Sequence, residues 1–517
     1  MFTKTLSGGL NGIESYLVRV EVDTAQSLPG FDMVGMLSSE VREAKERVRV
    51  ALKNTGIRVP PVRITVNLSP ADIRKEGTAY DLPIAVGVLK ALELIPCGGN
   101  EEILFLGELG LNGEVKAVRG VLPIVLAARE KGITCCIVPK KNAQEACVVQ
   151  GMRVVGIESV RQLCAYLCAL PKEREKQIPY EAQIRNATDA DTAKTLDFAD
   201  MNGQPAVRRA VEIAAAGFHH LMLIGPPGSG KTMTAKRIPS ILPPLSFEES
   251  LEVSKVYSVS GLLHAGEALI TKRPFLNPHH TISKQALAGG GRVPLPGVIS
   301  LAHRGVLFLD ELPEFGRDVI DIMRQPLEDK QVHIARSCAS YTYPADFMLV
   351  AAMNPCPCGY FPDHNRCHCT PGEIRRYLSR ISGPILDRID ICVEAPRLSI
   401  TDISAKQKNE SSAVIRERVM AARERQEYRF RGTPYRFNTD LGAGELKRFV
   451  ALGEAEQKLI EQIFQVMNLS ARAYHRMIRL ARTIADLDGS DSVRERHISE
   501  AACYRTADRN ERLMGEI

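Results

Sequence analysis

The pattern of hydrophobic and polar residues changes twice along the chain, and these changes divide the chain into three parts. Before residue 170, strand-like segments at 16–22 and 62–67 accompany a helical period at 41–53, which predicts a compact α/β domain. Residues 171–195 are polar and charged and have no apolar period, so they are assigned to a linker. After the linker, strands and helices alternate, and the end of the chain is helical.

Three short apolar runs predict a sheet after the linker. They are LMLI at 221–224, VLFL at 306–309 and FMLVAAM at 347–353, with helical stretches between them. Continuous apolar runs of this length are typical of parallel strands that are buried on both faces. From about residue 441 the chain has helical runs such as 454–467 and no comparable strand, which predicts a helical lid.

The composition is that of a large multidomain protein. The 517 residues are 44% hydrophobic and 25% charged, which suits about three domains of ordinary size. The formal net charge is only +6, so total charge does not mark the chain as a nucleic-acid binder. No apolar run reaches the roughly 18 residues that cross a bilayer, and the first residues lack a signal-peptide core. We expect a cytoplasmic protein with no membrane partner and with its 13 cysteines reduced.

The sequence GPPGSGKT matches the phosphate-binding pattern G-x-x-x-x-G-K-[ST]. An apolar run precedes it and TMTAKRI follows it as the start of a helix, which is the strand, loop and helix context that a P-loop requires. Its glycines let backbone N–H groups wrap phosphates, while Lys231 offsets phosphate charge and Thr232 offers a hydroxyl to Mg²⁺. The predicted ATP site consists of Gly225, Pro226, Pro227, Gly228, Ser229, Gly230, Lys231 and Thr232.

Two carboxylates follow the apolar run in GVLFLDEL. Asp310 is suited to hold Mg²⁺ together with Thr232, and Glu311 to polarise the attacking water. Acidic residues after a strand are often only a solvated turn. Their position downstream of a P-loop favours the catalytic interpretation.

Further motifs resemble AAA+ ATPases of the magnesium-chelatase-like group, and most of all the YifB/ComM family. The motifs that carry the resemblance are HHTISKQALAGGG, PLPGVISLAHRGVLFLDELPEF, NPCPCGYF, RISGPILDRIDI and LSARAYHRMIRLARTIADL. The resemblance covers nearly the whole chain. It implies an AAA+ core with a parallel sheet at 196–400, a connecting segment at 401–440 and a C-terminal helical lid at 441–517.

The resemblance also implies roles for three polar residues. Asn354 would position water near the γ-phosphate, Arg388 would be the arginine finger acting on the ATP of a neighbouring subunit, and Arg472 would couple the lid to the nucleotide state. A finger supplied in trans makes hydrolysis depend on a ring, which we expect to be a hexamer. Single arginines are more often surface salt-bridge partners, and Arg380 and Arg476 are alternatives.

A basic stretch without Asp or Glu lies between Glu267 and Asp310. In the resembling family this region corresponds to an insertion, here 262–297, that projects toward the pore of the ring. The segment 331–345 predicts a hairpin that would be a second pore element. We expect both to contact the phosphate backbone of branched or single-stranded DNA, although a solvated basic surface is an equal alternative. The residues expected to do so are Lys272, Arg273, Arg292 and Arg336.

Two C-x-C pairs lie in CPCGYFPDHNRCHC, the segment 356–369. Four thiolates suffice for a tetrahedral Zn²⁺ site, which would add Zn²⁺ to ATP and Mg²⁺ as a cofactor. His364 and His368 are alternative ligands, and four reduced cysteines without a metal are the other interpretation. The predicted ligands are Cys356, Cys358, Cys367 and Cys369.

Residues 1–170 resemble the α+β fold of Lon protease and ribosomal protein S5. The segments KEGTAYDLPIAVGVL and LFLGELGLNGEVKAVRGVLPIVLAARE match, in order, those that carry the Lon serine and lysine. This chain has Ala79 and Leu122 at those positions, whereas a Ser–Lys mechanism needs both a nucleophile and a base. We expect an inactive domain that helps ring assembly or guides DNA, with Thr78 and Lys116 as the nearest substitutes.

Together these features favour a ring motor that hydrolyses ATP and acts on DNA, resembling the branch-migration helicases of recombination and natural transformation. A metal-insertion motor of the magnesium-chelatase type is one alternative, and the Lon-like domain argues against it. A protease or protein unfoldase is the other, and Ala79 and Leu122 weaken it.

Overall fold

A computed structural model describes residues 1–96, 102–170, 196–264, 266–291, 293–335, 340–397 and 409–505. The predicted linker at 171–195 lies outside these residues. The described part has the predicted fold class, an α/β domain followed by a parallel-sheet module and a helical region. None of its helices is both long and apolar enough to span a membrane.

The N-terminal domain is built on a seven-stranded mixed sheet of order β3-β4-β2-β1-β5-β8-β9. The strands of this sheet are β1 (Phe2–Asn11), β2 (Glu14–Ala25), β3 (Gly30–Val34), β4 (Arg63–Ser69), β5 (Ile103–Phe105), β8 (Cys135–Pro139) and β9 (Arg153–Ile157). The strands β6 (Glu108–Leu109) and β7 (Val115–Lys116) form a separate pair. Its α-helices are Ser39–Arg42, Ala44–Asn54, Asp81–Ala91, Val121–Glu130, Ala143–Cys147 and Val160–Cys168.

The core of this domain follows from the alternation in β2. Val18, Val20 and Val22 are fully buried on one face of the sheet, where the apolar helix Asp81–Ala91 packs. The two positions that match the Lon dyad lie elsewhere, in a second apolar cluster. Leu122 is fully buried in that cluster and Ala79 packs against it, so both positions carry apolar side chains that belong to the core.

The second sheet has five parallel strands in the order β11-β14-β17-β10-β18. The P-loop strand β10 therefore lies between two strands that come much later in the chain, and their carboxyl ends form the crevice where ligands bind in such sheets. The strands of this part are β10 (Leu221–Ile224), β11 (Phe275–Leu276), β12 (Gly289–Gly290), β13 (Leu295–Pro296), β14 (Val306–Leu309), β15 (Gln331–Ala335), β16 (Ser340–Pro344), β17 (Met348–Met353) and β18 (Ile391–Glu394).

The helices around this sheet are short, except for two that flank it. The α-helices are Pro205–Gly217, Lys231–Ala235, Ile238–Ile241, Phe247–Ser260, Lys284–Ala288, Val298–Leu301, Arg317–Ile322, Arg324–Asp329, Pro371–Leu378 and Gly383–Leu386. The sequence predicts β10 and β14 to the residue, because strands buried on both faces are continuous apolar runs.

The C-terminal helices are Ser412–Arg429, Ala443–Phe449, Glu454–Val466, Ala471–Leu487 and Glu495–Cys503. Ser412–Arg429, in the predicted connecting segment, packs against both Ala471–Leu487 of the lid and Pro205–Gly217 of the motor core. Asp390, directly before β18, pairs with Arg476, and His219, two residues before β10, contacts Thr483. The helix Ala471–Leu487 therefore lies at the amino ends of the strands, opposite the P-loop.

Two small hairpins lie next to each other. The hairpin β15–β16 is the one predicted at 331–345, and the hairpin β12–β13 is formed by the glycine-rich segment. The Tyr343 hydroxyl donates to the Pro294 carbonyl at 2.8 Å and joins the two. Gly289 allows this contact, because a methyl group there would lie 2.5 Å from the Leu295 carbonyl and 3.0 Å from Ile334.

The predicted insertion at 262–297 is wrong in one respect. Its residues 275 and 276 form β11, which pairs with β14 at the edge of the central sheet. A two-residue strand is too short to show a period in the sequence, which is why this one was missed. The hairpin β12–β13 lies in the part of the predicted insertion that follows β11.

The N-terminal domain contacts the motor module at the hairpin β15–β16. A methyl group at Gly12, in the turn between β1 and β2, would lie 3.4 Å from the Tyr341 ring. Leu10 and Ile13 beside it pack against the core of the motor module. A second contact is the hydrogen bond from Gly120 N to Ser258 O, at 3.0 Å.

Candidate ATP site and cysteine loop

The P-loop connects β10 to the helix Lys231–Ala235. Gly228 and Gly230 have φ angles of 77° and 81°, a left-handed conformation that glycine adopts without strain. Gly225 is required for another reason, since a methyl group there would lie 2.2 Å from the Ala395 carbonyl that follows β18. These glycines let the backbone turn tightly at the carboxyl end of the sheet.

Lys231 joins the P-loop to the end of the neighbouring strand β17. Its ammonium group donates to the carbonyls of Gly225 at 2.6 Å and Pro226 at 2.9 Å, and to Asn354 Oδ1 at 3.2 Å. Burial lowers the pKa of Lys231, and the carboxylates of Asp310 and Glu311 oppose that shift. The structure thus brings together two of the predicted catalytic residues, Lys231 and Asn354.

The predicted magnesium ligands are also in contact. The Thr232 hydroxyl donates to Asp310 Oδ2 at 2.6 Å, and Asp310 Oδ1 accepts from the backbone N–H of Glu311 at 3.1 Å. Glu311 has a left-handed φ of 53°, so the chain turns sharply directly after Asp310. A hydroxyl and a carboxylate are oxygen ligands of the kind that Mg²⁺ takes beside nucleotide phosphates, so the residues present fit that ion.

Gln204 also supports the P-loop, and the sequence analysis missed it. Its side-chain amide donates to the Ser229 carbonyl at 2.9 Å and to the Pro396 carbonyl at 2.7 Å. It therefore ties the loop to the segment after β18. A lone glutamine before a helix carries no pattern in the sequence that would have revealed this contact.

The two predicted arginines do not lie at the P-loop of their own chain. Glu328 Oε2 is 2.5 Å from Arg388 Nη2, and Glu328 Oε1 is 3.3 Å from Arg472 Nη2. Only 8% of the Arg388 side chain is exposed, against 65% for Arg472. Both lie near the amino ends of the strands, so the expected contribution of Arg472 to the ATP site of its own subunit does not fit this arrangement.

The alternative arginines have clear partners as well. Arg380 pairs with Glu314 at 2.9 Å on the surface, and Arg476 pairs with Asp390 at 3.2 Å. Although burial opposes it, the Arg476 guanidinium together with His219 holds the pKa of Asp390 well below its usual range. Arg476 is thus part of a buried ion pair between the lid and β18, which is a structural role.

Comparisons with known proteins place this site in a family. The family described as "Magnesium chelatase, subunit ChlI" matches residues 197–403, its C-terminal region matches 409–505, and "Subunit ChlI of Mg-chelatase" matches 20–142. The chain is 42% identical over 501 residues to YifB of Escherichia coli, covering 96% of each protein. It is 41% identical over 499 residues to the competence protein ComM of Haemophilus influenzae, covering 96% of this chain and 95% of ComM.

The chain belongs to the YifB/ComM family. This family is magnesium-chelatase-like, and its AAA+ core carries the ATP site described above. The Lon-like expectation has support in a more distant similarity to Lon protease 2 of Bacillus subtilis, 24% identical over 188 residues, or 34% of this chain and 33% of that protein.

One predicted DNA contact of this YifB/ComM family member is wrong. Only 5% of the Arg273 side chain is exposed, and its guanidinium pairs with Glu249 at 2.9 Å. It also donates to the carbonyls of Pro243 at 2.6 Å and Arg304 at 2.7 Å, so its donors are used within the fold. Positive charge in the sequence does not distinguish such a buried residue from a surface one.

The other predicted DNA contacts remain predictions. Lys272 is exposed, next to β11. Arg292 and Arg336 lie outside the described residues.

The four cysteines predicted as metal ligands converge. Their sulfur atoms all lie within 4.8 Å of one another. The loop that carries them begins directly after Asn354 and so borders the ATP site. One of its residues, Gly359, approaches the P-loop, since a methyl group there would lie 2.5 Å from Pro227 Cδ.

Proposed function

We propose that this YifB/ComM family member is a hexameric ring motor that hydrolyses ATP and drives branched or single-stranded DNA past its pore. The contact between Tyr343 and Pro294 is the observation that carries the proposal. It links both predicted pore hairpins to β17, the strand that ends at Asn354 in the ATP site. One of its relatives is named a competence protein, which favours a role in recombination and transformation.

The hydrolytic step follows from the residues at the carboxyl ends of the strands. Lys231 offsets the charge of the β- and γ-phosphates, and Thr232 and Asp310 would hold Mg²⁺, which would supply further positive charge to the phosphates. Glu311 accepts a proton from the attacking water, and Asn354 orients that water. The hydrogen bond from Lys231 to Asn354 Oδ1 supports the proposal that both side chains act near the γ-phosphate.

A neighbouring subunit completes the site. Arg388 and Arg472 lie together, away from the P-loop of their own chain, so both are proposed to act on the ATP of the next subunit. Guanidinium groups there stabilise the charge that develops on the transferred phosphoryl group. Hydrolysis then depends on ring assembly.

DNA movement is proposed to follow from the hairpins. The chain passes from β16 to β17 through only three residues, and Asn354 follows the other end of β17, so this one strand connects the hairpin β15–β16 to the ATP site. Binding to phosphates needs positive charge and little sequence readout. The residues proposed to supply that charge are Lys272, Arg292 and Arg336.

Two other functions remain as alternatives. A magnesium-chelatase-type motor would act through partner subunits, and a protein unfoldase would act on polypeptides. Neither explains why the N-terminal domain contacts Tyr341 on a pore hairpin. The proposed motor is cytoplasmic and uses ATP, Mg²⁺ and, at the cysteine loop, Zn²⁺.

The test is ATP hydrolysis by the full chain with and without DNA. We expect single-stranded or branched DNA to stimulate hydrolysis and a labelled four-way junction to be separated into its arms only when ATP is hydrolysed. Raising the salt concentration should weaken DNA binding. If no DNA stimulates ATP hydrolysis but a protein or a porphyrin-binding partner does, the DNA motor is excluded.

A further inference from the structure

The sulfur atoms of the cysteine loop have the spacing of a metal cage. Cys356 Sγ lies 3.4 Å from Cys358 Sγ and 3.7 Å from Cys367 Sγ, and the latter two are 3.6 Å apart. Zinc–sulfur bonds of about 2.3 Å in a tetrahedron put the sulfurs about 3.8 Å apart. A disulfide would need a sulfur–sulfur distance of about 2.05 Å. These three cysteines and Cys369, the fourth of the loop, are free thiols.

The backbone around the thiols is arranged for thiolates. Two N–H groups, of Gly359 and Phe361, donate to Cys356 Sγ at 3.2 and 3.3 Å. Such donors stabilise the negative sulfur that binds a metal. On the far side of the loop, the Asp363 carbonyl accepts from Cys367 N at 2.8 Å and turns the second C-x-C pair toward the first.

The neighbouring histidines are not part of the cluster. The metal-ligand group found in the described residues consists of the four thiols alone. His364 instead stands edge-on to the Phe361 ring, with 6.3 Å between the ring centroids. Four thiolates in a tetrahedron are the ligand set of structural zinc sites, and this set has no open position for catalysis.

The cluster is next to the nucleotide site. A methyl group at Gly359 would lie 2.5 Å from Pro227 Cδ and 3.7 Å from Asn354 Cγ, so the loop backbone rests on the P-loop and beside Asn354. The turn that makes this approach begins at Cys356 and is closed by the N–H groups that bind its sulfur. Whatever fixes the four sulfurs therefore also fixes the loop against Pro227.

We propose that Cys356, Cys358, Cys367 and Cys369 bind one Zn²⁺ per chain, and that this ion clamps the cysteine loop onto the P-loop. The proposal rests on the proposed ATP site. Ordering the loop costs backbone entropy, and metal binding offsets that cost because it contributes to folding directly. Zinc occupancy then sets the affinity of the P-loop for nucleotide without touching the nucleotide.

The test measures zinc and nucleotide binding separately in the full chain. We expect about one zinc per chain by elemental mass spectrometry in protein never exposed to a chelator. The double variant Cys367→Ser/Cys369→Ser should lose the zinc and bind a fluorescent ATP analogue about tenfold more weakly, in the absence of hydrolysis. The matched control, Cys164→Ser/Cys168→Ser in the N-terminal domain, should keep both.

A second variant separates the clamp from the ion. Gly359→Ala keeps all four thiols but places a methyl group against Pro227, so it should retain zinc and still bind the analogue more weakly. If the cysteine variant does not fold, chelation of the wild-type chain followed by added Zn²⁺ should lower and then restore analogue binding.

The outcomes distinguish the two proposals. Wild-type protein that binds the ATP analogue but holds less than about one zinc per four chains overturns the metal site alone. Protein that holds zinc but binds the analogue equally well after chelation or after Gly359→Ala overturns the clamp. Protein that holds zinc but binds no nucleotide overturns the proposed ATP function instead.

Discussion

Glu328 and Arg388 form an ion pair in which Oε2 and Nη2 are 2.5 Å apart, and the second oxygen of the same carboxylate pairs with Arg472. Arg388 also donates to the Pro384 carbonyl at 2.5 Å, so both of its terminal nitrogens are engaged within the chain. A guanidinium held in this way must leave Glu328 before it can reach a phosphate on a neighbouring subunit. If Arg388 is the finger of the proposed ring, Glu328 competes with the neighbour's ATP for it.

Replacing Glu328 by glutamine should favour the active ring. The amide keeps the shape of the side chain but lacks the charge that holds two arginines. We expect the protein concentration at half-maximal ATPase activity to fall about fivefold, which corresponds to roughly 1 kcal/mol for a partly exposed ion pair. Glu46→Gln, which removes an exposed ion pair in the N-terminal domain, serves as the control. An unchanged or higher midpoint would show that Glu328 does not restrain the finger.

Replacing Glu311 by glutamine should trap ATP. The variant keeps the turn after Asp310 but cannot accept a proton, so kcat should fall by about 10²- to 10⁴-fold while ATP affinity stays within a factor of about three. Glu314→Gln is a matched control three residues away, since Glu314 forms only a surface pair with Arg380. Equal losses in both variants would mean that Glu311 is not the general base.

Removing the Tyr343 hydroxyl should uncouple the two hairpins. Tyr343 is 1% exposed and its hydroxyl donates to Pro294, so Tyr343→Phe leaves a buried carbonyl without that donor at a cost of about 1 kcal/mol. We expect the stimulation of ATPase activity by DNA to fall more than the DNA-independent rate. Tyr428→Phe, at an exposed tyrosine of the helix Ser412–Arg429, is the comparison. Full DNA stimulation in Tyr343→Phe would argue against a joint pore element.

The stability of the motor module should depend on pH through His220. Burial lowers the pKa of this imidazole to about 4, and its Nδ1 accepts from Leu349 N at 3.1 Å. The unfolded chain takes up a proton near pH 6.5, so this contribution is complete above pH 6.5 and is lost as the pH falls toward 4. The full effect is about 3 kcal/mol.

The measurement is the free energy of urea unfolding between pH 7 and pH 4.5. His220→Asn retains an acceptor for Leu349 N and should show a smaller loss on acidification than the wild type. His333→Asn, at an exposed histidine of the hairpin β15–β16, should follow the wild type. Identical slopes for the wild type and His220→Asn would rule out this histidine as the source.

The predictable parts of this protein are those whose chemistry is local in sequence. The strands β10 and β14 are continuous apolar runs, and the P-loop needs its glycines, Lys231 and Thr232 within eight residues. The contacts of Thr232 with Asp310 and of Lys231 with Asn354 follow once parallel strands place their carboxyl ends together.

What the sequence did not reveal depends on partners far along the chain. In the sequence Arg273 resembles a basic surface residue, because its partner Glu249 lies 24 residues earlier and only the fold brings the two together. Glu328 carries no motif, and its importance comes only from the two arginines that fold against it. The packing of the helix Ser412–Arg429 against both Ala471–Leu487 and Pro205–Gly217 depends on distant partners in the same way.

Mixing two inactive variants should restore activity if Arg388 acts across the subunit interface. Lys231→Ala removes the ability of a chain to use its own ATP site but leaves its Arg388, while Arg388→Ala has the opposite defect. In a mixed ring, an Arg388→Ala chain can receive the finger of a Lys231→Ala neighbour, so we expect ATPase activity to reach a maximum at an intermediate mixing ratio. Mixing Lys231→Ala with a Lys231→Ala/Arg388→Ala double variant gives no intact site and serves as the control.

Because Arg388 is buried against Glu328 in the isolated chain, adding Glu328→Gln to the Lys231→Ala partner should raise the maximum activity of the mixture. If no ratio yields more activity than the separate variants, Arg388 is a structural residue and the finger must be sought elsewhere, first at the exposed Arg380.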